Sequence, residues 1–516
     1  MKMAIAEFAL YFLEILSLIF ASALAILIVS VIYMYIVDIN QTKQTIRRNY
    51  PVIGRLRYKF EHLGEFFRQY FFAQDREELP FNRAQRAWVY RAAKNVDSTI
   101  AFGSTRSLDK PGDLLFLNCP FPTLEEDAEE PSYVTIGSYA EKPFITNSIY
   151  NISGMSFGAL SVPAVRALSA GAKEAGVWMN TGEGGLSSYH LEGGCDIIFQ
   201  IGTAKYGVRD EHGKLSDKKL KEVAAHEQVK MFEIKMSQGA KPGKGGILPG
   251  EKVSEEIALI RGIPANEDSI SPNGHPDIRN IDDLLNMIER VRRVTGKPVG
   301  FKAVIGTSAW IKELCQKIHE RGIESAPDFI TIDGADGGTG AAPQSLMDYV
   351  GTPLKRSLPR VIDILIRHNL RNRVKVICSG KMVNPSDVAT ALCMGADFIV
   401  SARGFMFALG CIQALQCNKN TCPTGITTHN PKLQKGLIPT NKAQRVAYFV
   451  KNMKKEVGMI AHSCGVAEPR KLGREHAELV NERGIPMPMS EVYPLPEVKL
   501  EYLNFIDSGK QKKEKV

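Results

Sequence analysis

Residues 374–410 read VKVICSGKMVNPSDVATALCMGADFIVSARGFMFALG, and this stretch decides the fold. A short β-branched run (374–379) leads through a glycine turn into a helical pattern (385–395), and a second apolar run follows (397–402). Short apolar runs bounded by turn residues read as buried strands, and their alternation with helical patterns reads as βα units of a parallel sheet. Outward from this stretch the same texture recurs at FITNSIYN (144–151), VWMN (177–180), DIIFQI (196–201), MFEIKM (231–236), VGFKAVI (299–305) and DFITID (328–333). That makes eight strand-like runs in about 260 residues, with helical patterns at 161–175, 281–294, 308–320 and 357–368. The expected fold class is α/β, a (β/α)8 TIM barrel whose site gathers at the C-terminal ends of its strands. A doubly wound open sheet is the alternative. It lacks support because no strand–GxGxxG–helix unit with a following acidic residue occurs, which also argues against a built-in nicotinamide site.

The segments that follow these runs carry the unusual residues: SGMSFGALS (153–161), NTGEGG (180–185), SQGAKPGKGGILPG (237–250), GADGGTGA (334–341), GKMVNPSD (380–387) and RGFMFALG (403–410). Glycines so placed let backbone N–H groups approach a ligand, and so many rich loops at one end of a barrel exceed what turn chemistry requires. The last two loops of such barrels commonly bind phosphate. Here they offer Ser379, Gly380 and Lys381, then Ala402, Arg403 and Gly404, so a phosphate-bearing ligand is expected.

Cys411, Cys417 and Cys422 stand close together in CIQALQCNKNTCPTG (411–425). Three soft thiolates closing a short loop suit an iron–sulfur cluster, and their number points to [3Fe-4S]. Zinc would call for a fourth ligand and a CxxC knuckle. On spacing alone, unliganded buried thiols remain the competing reading. Cys119, Cys195, Cys315, Cys378, Cys393 and Cys464 have no such company and read as core thiols.

Composition sets the outer bounds. The 516 residues are 44% hydrophobic and 23% charged, with a mean hydropathy of −0.13, which fits a globular chain and not a polytopic one. The net charge of +9 owes +3 to the tail GKQKKEKV (509–516), too mild a balance to predict nucleic-acid binding. Residues 15–37 form an uncharged run, ILSLIFASALAILIVSVIYMYIV, long enough to cross a bilayer. DINQTKQTIRR follows it, so an uncleaved anchor is expected over a signal peptide. Lys43, Arg47 and Arg48 follow the run while Glu7 and Glu14 precede it with Lys2, so the positive-inside rule predicts a single-pass protein with its bulk in the cytoplasm. The basic, aromatic segment from Arg55 to Gln74 reads equally as a lipid-surface helix or as one packed on the next domain. The acidic stretch from Leu124 to Pro131 reads as a solvated loop.

From about Ser153 to Thr428 the motifs SFGALS, NTGEGG, IKMSQGAKPGKGGILPG, SPNGHPDI, DGADGGTGA and GCIQALQCNKNTCPTG resemble the FMN and iron–sulfur synthase domain of glutamate synthase. The resemblance implies FMN at the barrel mouth, a [3Fe-4S] cluster beside it, and reductive amination of 2-oxoglutarate by ammonia. It implies Cys411, Cys417 and Cys422 as cluster ligands and Lys241 and Arg261 as substrate-binding cations. It also implies an FMN set of Met155, Ser156, Asn180, Lys302, Gly337, Gly338, Ser379, Gly380, Lys381, Ala402 and Arg403. Lys302 is expected against the flavin ring, where a cation stabilises the anionic reduced form. Glu183 is a candidate to carry protons near the imine, with a capping or loop hydrogen bond as the competing role. His275, between Gly and Pro, reads as structural.

Three departures qualify the resemblance. Where the family's glutaminase begins with a cysteine nucleophile, this chain begins MKMAIAEF, so ammonia is expected from outside the chain, as from a separate glutaminase. After Asn430 only 86 residues remain, too few for the family's β-helical domain. A family glutamine is replaced by Ile247, which offers no hydrogen bond to a carboxylate or keto oxygen. Electrons are expected from a separate protein, a ferredoxin or an NAD(P)H-dependent reductase. The alternatives are an FMN oxidoreductase for another 2-oxo or 2-hydroxy acid, and a membrane-bound electron-transfer subunit without turnover. The expected domains are an anchor (1–40), a juxtamembrane and leading segment (41–142), the barrel with its cluster loop (143–430) and a C-terminal extension (431–516).

Overall fold

The computed structural model describes residues 2–503, so the basic tail at 509–516 lies outside the described residues. The chain divides into two compact units, Met1–Ala84 and Gln85–Val516.

In the first unit one helix runs Lys2–Asn40, starting thirteen residues ahead of the uncharged core at 15–37. Its Glu7–Asn40 portion is long and apolar enough to cross a membrane, and its most apolar stretch is exposed throughout. The helix ends at a clamp. Asp38 is fully buried and accepts from Arg47 Nε (2.9 Å), Arg55 Nε (2.8 Å) and the Val52 N–H (3.0 Å). A short helix Thr45–Asn49 and a longer one, Gly54–Phe67, follow, the latter continued by a π turn at Arg68–Phe72.

The second unit is built on a closed barrel of eight parallel strands. They are β1 (Tyr150–Ile152), β2 (Met179–Asn180), β3 (Ile197–Ile201), β4 (Val229–Lys235), β5 (Val299–Ala303), β6 (Phe329–Asp333), β7 (Lys375–Ser379) and β8 (Phe398–Ser401). Each pairs with its sequence neighbour, and closure comes from β8 on β1, with Ile399 opposite Tyr150 and Ser401 opposite Ile152. The strands are buried almost without interruption because helices cover the outside and side chains fill the inside.

The eight expected runs are the eight barrel strands, with one correction. The run at 144–151 divides: Phe144–Thr146 pairs antiparallel with Val134–Ile136, and only Tyr150–Ile152 enters the barrel. Two residues of that hairpin, Ile136 and Phe144, join Trp178, Phe329 and Phe398 in a buried cluster at the N-terminal ends of the strands. The hairpin therefore plugs the barrel at the end opposite the glycine loops.

The outer helices follow local signals. Val162–Ala175 starts with Ser161 accepting from the Ala164 N–H and stops at Gly176 in the left-handed region. Ile281–Thr295 begins at Asn280 and ends at Gly296 in the same way. The long helix Pro439–Ser463, beyond the cluster loop, lies close enough to Val162–Ala175 that a Cβ on Gly171 would sit 2.6 Å from the Ala443 carbonyl oxygen. A small sheet ties both flanks together: Leu114–Phe116 pairs with Ala477–Val480, which pairs with Pro486–Pro488. The acidic stretch at 124–131 contains an exposed 3-10 turn, Glu125–Asp127.

Candidate active site

Period-2 alternation aims every second strand residue into the barrel. In β4 this puts Glu233 and Lys235 on one face, and in β6 it does the same for Thr331 and Asp333. Glu233 is the deepest charge. Its carboxylate accepts from Asn180 Nδ2 (2.9 Å), Gln200 Nε2 (2.7 Å) and Thr331 Oγ1 (2.6 Å). Gln200 and Glu233 are register partners across β3 and β4.

One layer higher, Lys235 and Lys302 are register partners across β4 and β5. Two adjacent like charges repel, so each needs a partner. Lys302 Nζ lies 3.1 Å from Asp333 Oδ2, which also accepts from the Gly239 N–H at 2.9 Å. Burial pushes the Lys302 ammonium down, but Asp333 and then Glu233 outweigh it and hold its pKa above the ordinary lysine value. Lys235 Nζ lies 2.9 Å from Glu183 Oε1.

Glu183 is brought to Lys235 by a tight 3-10 turn, Gly182–Gly184, and fits because its neighbours lack side chains. A Cβ on Gly246 would lie 2.2 Å from Glu183 Oε1, and one on Gly202 would lie 2.6 Å from Glu183 Cβ. Burial pushes this carboxyl up, yet Lys235, Lys241 and Arg261 together keep it below its ordinary value. Lys241 is 4% exposed, and burial followed by repulsion from Lys235 brings it down to about 8. Arg261, also 4% exposed, donates from Nη1 to Ser269 Oγ (2.9 Å) and stacks 5.2 Å over Tyr206, leaving its Nε without a hydrogen-bond partner. Three buried cations thus surround one carboxylate, and the surplus of positive charge suits an anion with two acidic groups. His275 holds the Lys235 carbonyl through Nε2 at 3.0 Å, and burial brings its pKa down to about 4, so it sits neutral behind the lysine.

The remaining expected residues ring this mouth. Gly182, at φ 63°, sits where a Cβ would be 2.5 Å from the Ser156 N–H nitrogen, so the Met155–Ser156 loop and Asn180 meet there. The Gly334 N–H donates to the Ser379 carbonyl (2.7 Å), which seats the β6 loop against Ser379 and Gly380. A Cβ on Gly338 would be 2.8 Å from Arg403 Nε. Arg403 donates to the Thr339 carbonyl oxygen and stands 3.8 Å from Cys417 Sγ, so its guanidinium bridges the β6 loop and the cysteine loop. Lys381 is partly exposed at φ 53°, and Ala402 precedes the helix Arg403–Leu409; they lie at the ends of neighbouring strands β7 and β8.

The cysteine loop is held from several sides. Tyr90 Oη donates to the Cys411 carbonyl (2.6 Å), and Lys252 Nζ donates to the Cys417 carbonyl (3.1 Å). Cys411 lies near enough to Cys417 and Cys422 to feel their charge. Among the described residues no three ligating side chains gather round a single ion. Gln413, Leu415 and Asn420 all adopt left-handed φ between 55° and 58°. Non-glycine residues there cost about 1 kcal/mol or more each and persist only where their surroundings impose them, a pattern that gathers at functional sites. Three free thiols within one strained loop are soft donors of the kind iron–sulfur centres use. The mouth fits a flavin, with backbone rather than side chains at Gly154, Gly182, Gly337 and Gly380 and a buried ammonium at Lys302.

Sequence reasoning singled out Lys302 as a charge in an apolar strand but passed over Gln200, Glu233, Lys235, Thr331 and Asp333. The same signal marks all of them: a polar residue at an inward position of a run that is otherwise buried and apolar.

A family model described as a conserved region in glutamate synthase matches residues 112–467. The chain is 40% identical over 500 residues to glutamate synthase large subunit-like protein YerD of Bacillus subtilis (strain 168), covering 89% of this chain and 94% of that one. It is 37% identical over 317 residues to the archaeal glutamate synthase [NADPH] of Methanocaldococcus jannaschii, covering 61% of this chain and 58% of that one. This chain therefore spans little more than half of the archaeal relative. Among solved structures, a mutant flavocytochrome b2 with benzoylformate aligns at a TM-score of 0.45 and 14% identity, over 86% of this chain and 92% of that one. That likeness is too loose to bear on the site. The family match, which spans the whole barrel and its cysteine loop, and the extended identity to the Bacillus protein together establish that the chain belongs to the glutamate synthase family.

Proposed function

We propose that this chain is a membrane-tethered, FMN- and [3Fe-4S]-dependent oxidoreductase that reductively aminates a 2-oxo dicarboxylic acid, 2-oxoglutarate to glutamate, using ammonia supplied from outside the chain. The observation that carries the reading is the set of three buried cations, Lys235, Lys241 and Arg261, around Glu183. Membership of the family and the archaeal relative's name, a glutamate synthase using NADPH, support it.

In this reading Lys241 and Arg261 grip the two carboxylates and thereby orient the keto carbon. Glu183, held ionised by its cations, takes a proton from the nitrogen of ammonia as it adds to the keto carbon and returns it to the carbinolamine hydroxyl, which leaves as water. Lys302, kept charged by Asp333 and Glu233, presents a positive charge at the barrel axis. Met155, Ser156, Asn180, Gly337, Gly338, Ser379, Gly380, Lys381, Ala402 and Arg403 line the flavin position, and Cys411, Cys417 and Cys422 hold the cluster. Bound FMN would supply the hydride that reduces the imine, and the cluster would pass it electrons from a separate donor protein, a ferredoxin or an NAD(P)H-dependent reductase. The helix Glu7–Asn40 serves as a single-pass anchor, with Lys43, Arg47 and Arg48 keeping the barrel on the cytoplasmic side.

Ile247 favours a second reading. It stands beside Gly246, whose Cβ position faces Glu183, and it brings no donor to a substrate oxygen. A different 2-oxo acid is then the substrate.

Anaerobic reoxidation of the reduced flavoprotein tests both. Rapid oxidation on adding 2-oxoglutarate with ammonia, with glutamate formed in equal amount, supports the first. A response only to another member of a 2-oxo acid panel supports the second. No response to any member refutes both and leaves an electron-transfer role.

A further inference from the structure

Residues between the apolar helix and the barrel unit form a second amphipathic element that the proposed chemistry does not use. Leu56, Phe60, Leu63, Phe67 and Phe71 recur every three or four residues along Gly54–Phe67 and its π turn, the spacing of one helical face, and Ile53 in the turn just before it extends the series. All six are between 44% and 73% exposed, and Phe72 beside them is 78% exposed. A helix whose apolar stripe is uncovered needs an occupant for it.

Two observations identify that occupant. The clamp fixes where this helix starts: Arg55 binds both oxygens of Asp38 and reaches the Met34 carbonyl at 3.5 Å, so its N-terminus lies against the last turns of the apolar span. The charge on and just ahead of the stripe is one-sided: between residues 41 and 72 seven Lys and Arg, five of them besides the Arg47 and Arg55 that pair with Asp38, stand against two Glu. Two copies paired along the stripe would bring these basic residues together, whereas an anionic lipid surface would attract them. Aromatic side chains flanked by basic ones are also the composition that favours the bilayer interface.

We propose that residues 53–72 lie in the plane of an anionic leaflet, with the Ile53–Phe71 stripe in the acyl–headgroup boundary and Asp38, Arg47 and Arg55 setting the turn out of the span. This rests on the reading of Glu7–Asn40 as a membrane anchor. The clamp buries the one carboxylate at the end of the span, so the helix that follows can lie flat without bringing an unpaired charge to the lipid.

The full chain, reconstituted into vesicles of phosphatidylcholine and phosphatidylglycerol brominated on the acyl chains, tests the proposal. Two exposed positions take a fluorophore, Phe60→Trp in the stripe and Phe20→Trp in the span, each read against the parent background. Shallow bromines are expected to quench the position-60 signal by about half or more and deep bromines less, while position 20 shows the reverse. Quenching at 20 without quenching at 60 overturns the in-plane helix and leaves the anchor standing. Absence of quenching at both overturns the anchor and the proposal together. Disulfide cross-linking of Leu63→Cys between copies in the same vesicles, with position 60 unquenched, would assign the stripe to a second copy instead.

Discussion

Lys302→Met removes an ammonium that lies 3.1 Å from Asp333, with both residues only 6% exposed. At an effective dielectric constant of about 20, a pair at that separation attracts by roughly 5 kcal/mol. Breaking a buried pair by deleting one partner typically costs about 3–5 kcal/mol, because the remaining charge is left uncompensated. Part of this is returned here, since the variant also relieves repulsion from Lys235, the register partner of Lys302, an effect of roughly 1 kcal/mol. A net loss of about 2–4 kcal/mol follows, which lowers the melting temperature of so large a unit by roughly 2–4 °C. Asp333→Asn should cost less, because Lys302 still faces Glu233 while Asp333 has only the Gly239 N–H besides its lysine. The double variant should recover at least half of the Lys302→Met loss, a coupling of about 2 kcal/mol or more in a double-mutant cycle. Thermal melts of the detergent-solubilised full chain at about pH 7.5 supply the readout. Additive costs in the double variant, or a single variant as stable as the parent, would refute the pairing. A loss caused only by weaker cofactor retention would not be restored by Asp333→Asn.

His190 and His275 are both brought down to about 4 by burial, against about 6.5 in an unfolded chain. The unfolded state therefore binds protons first, so their contribution is complete above pH 6.5 and is lost as pH falls towards 4; His275→Asn should flatten the stability–pH slope in that window by about one proton. Lys241 loses its charge above about pH 8, so KM for the 2-oxo acid should rise up to tenfold per pH unit beyond it. Lys241→Arg should move that limb to higher pH, and an unmoved limb would assign it elsewhere. Cys417→Ser should lower iron and sulfide content and the cluster's visible absorbance while leaving the far-ultraviolet circular dichroism of the barrel intact; unchanged iron would sink the ligand assignment.

Much of this protein was legible in its residues because the signals are local. Strand length, β-branching and glycine turns located all eight barrel strands, and Ser161, Asn280 and their glycine stops marked helix ends that formed as their side chains dictate. The cluster of three cysteines and the glycine loops likewise stand out in one dimension. Lys302 was visible because a charge in a buried strand is costly and therefore needs a reason.

What the residues did not disclose is which partner answers each charge. Glu233 meets Asn180, Gln200 and Thr331 only because closing the barrel brings β2, β3, β4 and β6 into one layer. Lys235 faces Glu183, and Lys302 faces Asp333, because register sets the two lysines side by side. The division of residues 144–151 between a plug and a strand, the outer helix Pro439–Ser463 and the pairing of Leu114–Phe116 with Ala477–Val480 are decided in the same way. Periodicity and propensity act over a few residues and so are written in the chain itself. Pairing of charges and edges from far-apart segments follows from barrel closure and register, which exist only once the chain has folded.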